Sequence, residues 1–214
     1  MIALLRAGAL ALNAGAAVGA ARLLGLPWAA CAAGLVALAG LSRWACGRSP
    51  TGMDAGAAPH AEAVTLAKRL GAPPPRFVRV VPGWSAASVR AGKEYGVLLG
   101  AAVGEGERRA LLAHEIAHAA ARDLAWEPYT DGPARLLLPL VRAFPPLALP
   151  LCPFLILGIP LARATELEAD RRASRAVPGY AAVLARIAED RAPRPSLLYP
   201  SFRKRVAASA RISY

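Results

Sequence analysis

The chain has 214 residues, of which 56% are hydrophobic and 19% are charged, and its formal net charge is +12. A basic chain can indicate a nucleic-acid binder, but no helix-turn-helix spacing is visible and only 6% of the residues are aromatic, which argues against one. The three cysteines, Cys31, Cys46 and Cys152, have no paired spacing, which argues against a disulfide framework and a CxxC metal site.

The N-terminal part of the chain is apolar from Ala7 to Leu41 and has arginines at both ends. Leu24–Leu41 is long enough to cross a membrane, and Ala7–Ala21 is a weaker, alanine-rich candidate. Together they predict a membrane helical hairpin within residues 1–46, with both ends in the cytoplasm because of the arginines. A cleaved signal peptide is the alternative, but a second apolar run follows where the mature domain should begin.

The middle of the chain alternates between helical and strand-like patterns. The predicted elements are a Gly- and Pro-rich linker at 47–60, a helix at Ala61–Leu70, strands at Phe77–Val81, Ser85–Arg90 and Tyr95–Leu99, and a helix from about Glu105–Glu107 to about Trp126. A small sheet is therefore expected to precede the helix that carries the histidine pair.

A second apolar block at 134–164 contains six prolines and Arg142. The prolines argue against one regular helix. The block is also too short for two membrane crossings, which need about 40 residues. We therefore predict a proline-kinked hairpin or re-entrant element that lies on or dips into the membrane. A charged helical segment follows, and then a helix from Ala181 to about Arg191.

The stretch LLAHEIAHAAARD holds two of the three histidines of the chain, His114 and His118. Positions four apart on a helix lie on one face, so both imidazoles can bind one Zn²⁺ at neighbouring tetrahedral positions. Glu115 lies beside them and can act as general base on a metal-activated water, as in H-E-x-x-H sites. The alternative is a pair of structural histidines in an alanine-rich core.

A catalytic zinc site needs a third protein ligand, and no other His or Cys is in register, so we expect a carboxylate. The segment TELEADRRAS offers Glu166 and Asp170, which are four apart and share a helical face, whereas Glu168 points elsewhere. One of the pair is expected on the metal and the other in support of a ligand. Asp123 is a candidate for the same supporting role, with a surface charge at the helix end as its alternative.

Three motifs together resemble the HtpX-like and CAAX-prenyl-protease-like integral-membrane zinc metallopeptidases, which are HExxH enzymes of the gluzincin type. HEIAHAAARD is similar to the family's HExxH followed by an Asp, and ARATELEAD is similar to its S-R-x-x-E-x-x-A-D, which implies Glu166 as the third zinc ligand. LLYPSFRKRV is similar to the late T-H-P-x-x-x-x-R-I, with Pro200 and Arg205 in register. The resemblance covers most of the chain after Ala61.

The chain departs from this family pattern at three positions. Ala121 stands where an Asn is usual, Ala162 replaces the Ser of S-R, and Tyr199 replaces the late His. In the family this His and the Arg are thought to assist the tetrahedral intermediate. The resemblance therefore implies Arg205 and Tyr199 as catalytic residues, since a tyrosine hydroxyl can donate to an oxyanion. A basic, membrane-facing tail is the alternative for both.

The sequence thus predicts a mainly α fold with a small β-sheet. It combines a membrane helical hairpin at 1–46, a linker at 47–60 and a zincin-like metallopeptidase domain at 61–214, with a membrane-associated proline-rich insert at 134–164. The predicted function is that of a zinc metalloendopeptidase with one Zn²⁺ per chain. It is expected in the cell membrane, multi-pass or hairpin-anchored, with its active site facing the cytoplasm.

The expected partners are a peptide or membrane-protein substrate and the lipid bilayer, without nucleic acid; the sequence does not define an oligomeric state. A catalytically silent membrane scaffold or regulator that retains the fold is the alternative from another class. The intact Glu115 argues against it, because metal binding alone needs no general base.

Overall fold

The computed structural model describes residues 2–23, 25, 37, 40, 52–91, 93–130, 138–139, 141–145, 148–191 and 199–210. The helices referred to below are α1 (Ile2–Leu23), α2 (Ala57–Leu70), α3 (Glu105–Ala120), α4 (Asp123–Trp126), α5 (Ala148–Ala176), α6 (Tyr180–Arg191) and α7 (Phe202–Ala210), and a 3₁₀ turn covers Glu127–Tyr129. The strands are β1 (Met53–Asp54), β2 (Val78–Val81), β3 (Ala86–Ala91) and β4 (Glu94–Gly100). The described part of the chain is mostly helical.

The strands form one small mixed sheet with the order β1-β2-β4-β3. β2 and β4 are parallel, β1 is antiparallel to β2, and β3 is antiparallel to β4, with Ser88 opposite Val97. The sheet predicted ahead of the histidine helix is therefore present, and the ends of each predicted strand differ from the observed ends by at most one residue. β1 falls in the stretch predicted as a linker, because two residues give no strand pattern.

Helix α3 packs against α2, α6 and the strands β3 and β4. Leu112, Ala113, Ile116 and Ala117 on this helix are completely buried. The two alanines are small, so they allow the neighbouring elements to approach the helix closely at the level of the histidines. Two acidic residues in its first turn suit the positive end of the helix dipole, and one of them, Glu107, accepts a hydrogen bond from the N–H of Gly104.

The chain divides into two compact units, each made of two separate segments. The first unit comprises Met1–Cys46 and Ala125–Ala164. The second comprises Gly47–Leu124 and Thr165–Tyr214, and it contains the sheet, α3 and every candidate metal or catalytic residue. The candidate site can therefore be described wholly within the second unit.

The predicted membrane anchor is not supported, because no helix among the described residues is long and apolar enough to cross a membrane. Helix α1 has 22 residues, but alanine and glycine dominate it and it carries Arg6, Asn13 and Arg22. The span predicted at Leu24–Leu41 lies outside the described residues apart from positions 25, 37 and 40. The predictions of a membrane helical hairpin and of a multi-pass or hairpin-anchored location in the cell membrane were therefore wrong.

The apolar block at 134–164 also differs from its prediction as a membrane-associated hairpin. From Ala148 onward it is a single helix, α5, which continues to Ala176 and becomes charged after Arg163. Pro150 lies in the first turn, where an N–H donor is not needed. Pro153 and Pro160 lie further inside, and the helix continues through both without their hydrogen bonds. The prolines were therefore wrongly taken to exclude a regular helix in this part of the block.

Replacing Gly179 or Gly106 with alanine is expected to change stability in opposite directions. Gly179 has a φ of 76° in the turn before α6, where alanine costs about 1–2 kcal/mol. Gly106 lies in α3, and the nearest atom to an added Cβ is the flexible end of Arg186 at 3.3 Å. Alanine there is expected to raise the free energy of unfolding by about 0.5–1 kcal/mol. Urea unfolding of both variants is the measurement, and shifts of the same sign would contradict the prediction.

Candidate metal centre

Helix α3 places His114, Glu115 and His118 together in the buried interior of the second unit. The segment has no Gly or Pro after Gly106, so the helix is regular and the two histidines project one turn apart on the same face. Their rings meet edge to face, with centroids 4.8 Å apart. The Nε2 atoms of the two rings are 3.3 Å apart.

Helix α5 brings Glu166 and Asp170 to the histidine pair. The Oε2 of Glu166 lies 3.2 Å from Nε2 of His114, and its Oε1 lies 3.7 Å from Nε2 of His118. Asp170, one turn later, has no exposed surface and faces the other ring nitrogen of His114. Glu168 points away from this cluster, as expected, and pairs with arginines of its own helix.

His114, His118 and Glu166 form a group that can hold a metal ion, since one ligand atom from each lies within 4.8 Å of the others. Ligand atoms bonded at about 2.0–2.1 Å to a tetrahedral zinc ion are about 3.3 Å apart. The distances from His114 Nε2 to the other two ligand atoms, 3.3 and 3.2 Å, match this spacing. The cluster therefore fits a small tetrahedral ion.

Carboxylates fix the orientation of both imidazole rings. Oδ1 of Asp170 lies 2.9 Å from Nδ1 of His114, and Oδ2 of Asp123 lies 2.9 Å from Nδ1 of His118. An ionised carboxylate only accepts hydrogen bonds, so each Nδ1 is the donor. This arrangement directs Nε2 of each ring to the centre of the cluster, which is the usual support for a histidine that binds a metal.

Asp123 reaches His118 because α3 ends earlier than predicted. The helix stops at Ala120, and Arg122 has a φ of 58°, a left-handed conformation that cannot continue the helix. Asp123 then begins α4 with its side chain against the last turn of α3. The sequence predicted one continuous helix here, because no Gly or Pro marks the break.

Arg205 reaches the cluster from α7, and its shortest contacts are with the carboxylate of Asp170. Its Nε donates to Oδ2 of Asp170 at 2.7 Å, and its Nη2 donates to Oδ1 at 2.8 Å. The same Nη2 lies 3.4 Å from both ring nitrogens of His114. Tyr199, just before α7, is 42% exposed, unlike the buried residues of the cluster. The catalytic roles of Arg205 and Tyr199 stay predictions.

Comparisons with protein-family models, with curated proteins and with solved structures give no significant match for this chain.

Two groups in the cluster were not predicted from the sequence. The hydroxyl of Tyr180, the first residue of α6, donates to Oδ1 of Asp170 at 2.6 Å. The backbone N–H of Ser88 on β3 donates to Oε2 of Glu115, also at 2.6 Å. A Pro-Gly turn directly before Tyr180 is a sequence feature that could have indicated its return towards α5, whereas a backbone donor has no residue-type signature.

The ionisable groups of the cluster shift one another strongly. Burial and the charge of Arg205 lower the pKa of His114, but Asp170 and Glu166 outweigh them and raise it to about 10. Burial raises the pKa of Glu166, but the hydrogen bond and charge of His114 lower it to about 2. Burial and the charge of Asp170 raise the pKa of the Tyr180 hydroxyl. The hydroxyl is therefore a hydrogen-bond donor at neutral pH.

The metal-free protein is expected to be most stable between pH 4.5 and 6.5. His114 has a raised pKa, so its contribution is complete below pH 6.5 and is lost as the pH rises towards about 10. Glu166 has a lowered pKa, so its contribution is present above pH 4.5 and is lost as the pH falls towards about 2. Urea unfolding across this range tests both limits. A His114→Gln variant should show a smaller alkaline decline, because His118, whose pKa is also raised, still contributes to it. Stability that rises between pH 6.5 and 10 would contradict the prediction.

Proposed function

We propose that the chain is a zinc-dependent metalloendopeptidase in which Glu115 is the general base. The observation that carries this proposal is the spacing of ligand atoms from His114, His118 and Glu166, with the buried Glu115 next to His114 on α3. Burial lowers the pKa of His118, but the hydrogen bond with Asp123 and the charges of Glu166 and Glu115 outweigh it and raise the pKa. A purely structural histidine pair would not need this additional buried carboxylate.

Zinc is the ion that suits this donor set best. Two imidazole nitrogens and one carboxylate oxygen favour zinc over magnesium or calcium, which prefer sites built from oxygen ligands. When bound, a zinc ion supplies Lewis acidity, which makes water more acidic and polarises a carbonyl group. Three protein ligands leave one position open, as in catalytic rather than structural zinc sites.

The contact with Ser88 defines how Glu115 accepts a proton. The Ser88 N–H occupies Oε2 and fixes the carboxylate relative to β3. In our proposal the water proton is therefore taken at Oε1 and later delivered to the leaving amine. The backbone donor also means that the carboxylate does not need to reorganise before the reaction.

The position of β3 favours an extended peptide as the substrate. Among the described strands, β3 has one neighbour, β4, and lies at the edge of the sheet. The Ser88 N–H points away from β4 towards Glu115, and by strand alternation the N–H of Ala86 points to the same side. A peptide that adds to this edge would run beside the general base.

Arg205 and Tyr199 are proposed to assist the developing oxyanion, on the basis of the motif resemblance. Because Nε and Nη2 of Arg205 donate to Asp170, Nη1 is the atom proposed to reach a substrate carbonyl. The variant Arg205→Lys keeps the positive charge but lacks the guanidinium fork. Loss of peptide hydrolysis in this variant would favour the proposed contact of Nη1 with the substrate over a role of the charge alone.

Metal analysis together with hydrolysis of an unstructured test protein tests the proposed function. We expect one zinc ion per chain and cleavage that is lost on chelation and restored by stoichiometric zinc. Cleavage that survives complete removal of the metal would contradict the proposal. Bound zinc without any cleavage would favour a catalytically silent scaffold instead.

A further inference from the structure

Tyr180 makes a short hydrogen bond next to the metal cluster. Its hydroxyl donates to Oδ1 of Asp170 at 2.6 Å and lies 3.4 Å from Nδ1 of His114. The side chain is buried at the start of α6, where the turn that ends in Gly179 brings the chain back towards α5. The hydroxyl therefore points at the carboxylate that orients His114.

Donors from three helices meet at the carboxylate of Asp170. Oδ1 faces Nδ1 of His114, Nη2 of Arg205 and the hydroxyl of Tyr180, at 2.9, 2.8 and 2.6 Å. Oδ2 receives the second guanidinium bond of Arg205, at 2.7 Å. The bidentate contact with Arg205 sets the plane of the carboxylate. The hydroxyl of Tyr180 adds a contact from a different helix to Oδ1, the oxygen that faces His114.

We propose that Tyr180 is a positioning residue of the metal centre, because it holds Asp170 in the orientation that receives the Nδ1 proton of His114. This role rests on the metal centre of the proposed function. Without the hydroxyl, Oδ1 loses its shortest contact and is held only by Arg205 and His114, so its bond to His114 is less well defined. The His114 ring then presents Nε2 to the ion less often in the correct tautomer and direction.

The competing explanation is that Tyr180 only packs in the core, to which its ring belongs. The variant Tyr180→Phe separates the two, since it keeps the ring and removes only the hydroxyl. Tyr95→Phe is a matched control from the same core. Tyr95 is 4% exposed against 3% for Tyr180, and its hydroxyl donates to the carbonyl of Pro73 at 2.9 Å rather than to the cluster.

Zinc affinity, measured by competition with a chromophoric chelator, is the main measurement. Tyr180→Phe is expected to bind zinc about tenfold more weakly than the wild type, as is usual when a group that supports a ligand is lost. Tyr95→Phe is expected to bind zinc like the wild type, although both variants should unfold at lower urea concentration. The visible spectrum of the Co²⁺-loaded protein should change in Tyr180→Phe and stay unchanged in Tyr95→Phe.

A double-variant cycle tests whether Tyr180 acts through Asp170. In an Asp170→Leu, Arg205→Met background, which has no acceptor for the hydroxyl at position 170, Tyr180→Phe should cause little further loss of zinc affinity. A wild-type zinc affinity in Tyr180→Phe would overturn the positioning role. An undiminished tenfold loss in the Asp170→Leu, Arg205→Met background would also overturn it.

The same measurements distinguish this role from the proposed function. If zinc binding depends on Tyr180 but the wild type cleaves no peptide, the positioning role stands and the peptidase proposal fails. If the wild type cleaves peptides and Tyr180→Phe binds zinc normally, only the positioning role fails. A wild type that binds no zinc contradicts both.

Discussion

Replacing Glu115 with glutamine is expected to lower the rate of peptide hydrolysis by about 10²–10⁴-fold or more while zinc stays bound. The amide cannot accept the water proton, but it is not one of the three proposed ligands, so the metal site is retained. The fold should be retained as well, because the amide oxygen of glutamine can still accept the hydrogen bond from Ser88. Turnover of an unstructured protein and zinc content are measured on the same samples.

The matched control for this variant is Glu168→Gln. Glu168 lies on α5 near the site in sequence, but its carboxylate pairs with Arg171 and Arg172 rather than with the cluster. Its replacement should leave both turnover and zinc content unchanged, since partly exposed ion pairs of this kind contribute little. If Glu115→Gln kept the turnover of Glu168→Gln, Glu115 would not be the general base.

Replacing Asp170 with alanine is expected to lower the free energy of unfolding of the metal-free protein by about 3–5 kcal/mol. The variant removes the nearest counter-charge of the guanidinium of Arg205, which then has only Glu166 at 3.9 Å, and it removes the acceptor for Tyr180 and His114. Zinc affinity should also fall by about 10–100-fold, because the His114 ring loses its orienting partner. Urea unfolding and chelator competition measure the two effects.

A double variant separates the two consequences of losing Asp170. Asp170→Leu with Arg205→Met removes both charges, and it should recover most of the lost stability, because apolar pairs often replace buried ion pairs without loss. Zinc affinity should stay low, since the orienting acceptor is still absent. If the single variant does not fold, Asp170→Asn serves in its place. Recovery of both properties in the double variant would contradict an orienting role for Asp170.

The four residues best defined by the sequence share one property: each belongs to a pair four positions apart. His114 with His118 and Glu166 with Asp170 each occupy one helical face, and helix formation alone brings the members of each pair together. Spacing did not decide which carboxylate faces the metal ligand atoms. The structure places Glu166 there and Asp170 behind His114.

The remaining contacts depend on tertiary structure that no short pattern encodes. Ser88 contributes a backbone N–H from a strand, and Tyr180 contributes a hydroxyl from a third helix. The left-handed Arg122 breaks α3 at a residue type that gives no sign of a turn. Each of these is defined by how the elements pack, so the sequence alone could not supply it.

The membrane prediction shows how composition can mislead. A large share of hydrophobic residues was taken to indicate segments that cross a bilayer, but much of that share is alanine, which is only weakly apolar and is common in ordinary helices. In α5 the apolar residues and the Glu166–Asp170 pair belong to one helix. The predicted end of the apolar insert at residue 164, where the composition changes, therefore lay inside the single helix α5.

The second unit consists of two chain segments, and this affects how freely the length of the chain between them can change. The segment Ala125–Ala164 leaves this unit just after Asp123 and returns just before Glu166, so a metal bound by His118 and Glu166 closes it into a loop. Loop-closure entropy grows only with the logarithm of length, and each doubling of a flexible loop costs about 0.6 kcal/mol. Insertions or deletions in the part of this segment that precedes α5 can thus accumulate at little cost to the centre, provided that the two ends keep their positions.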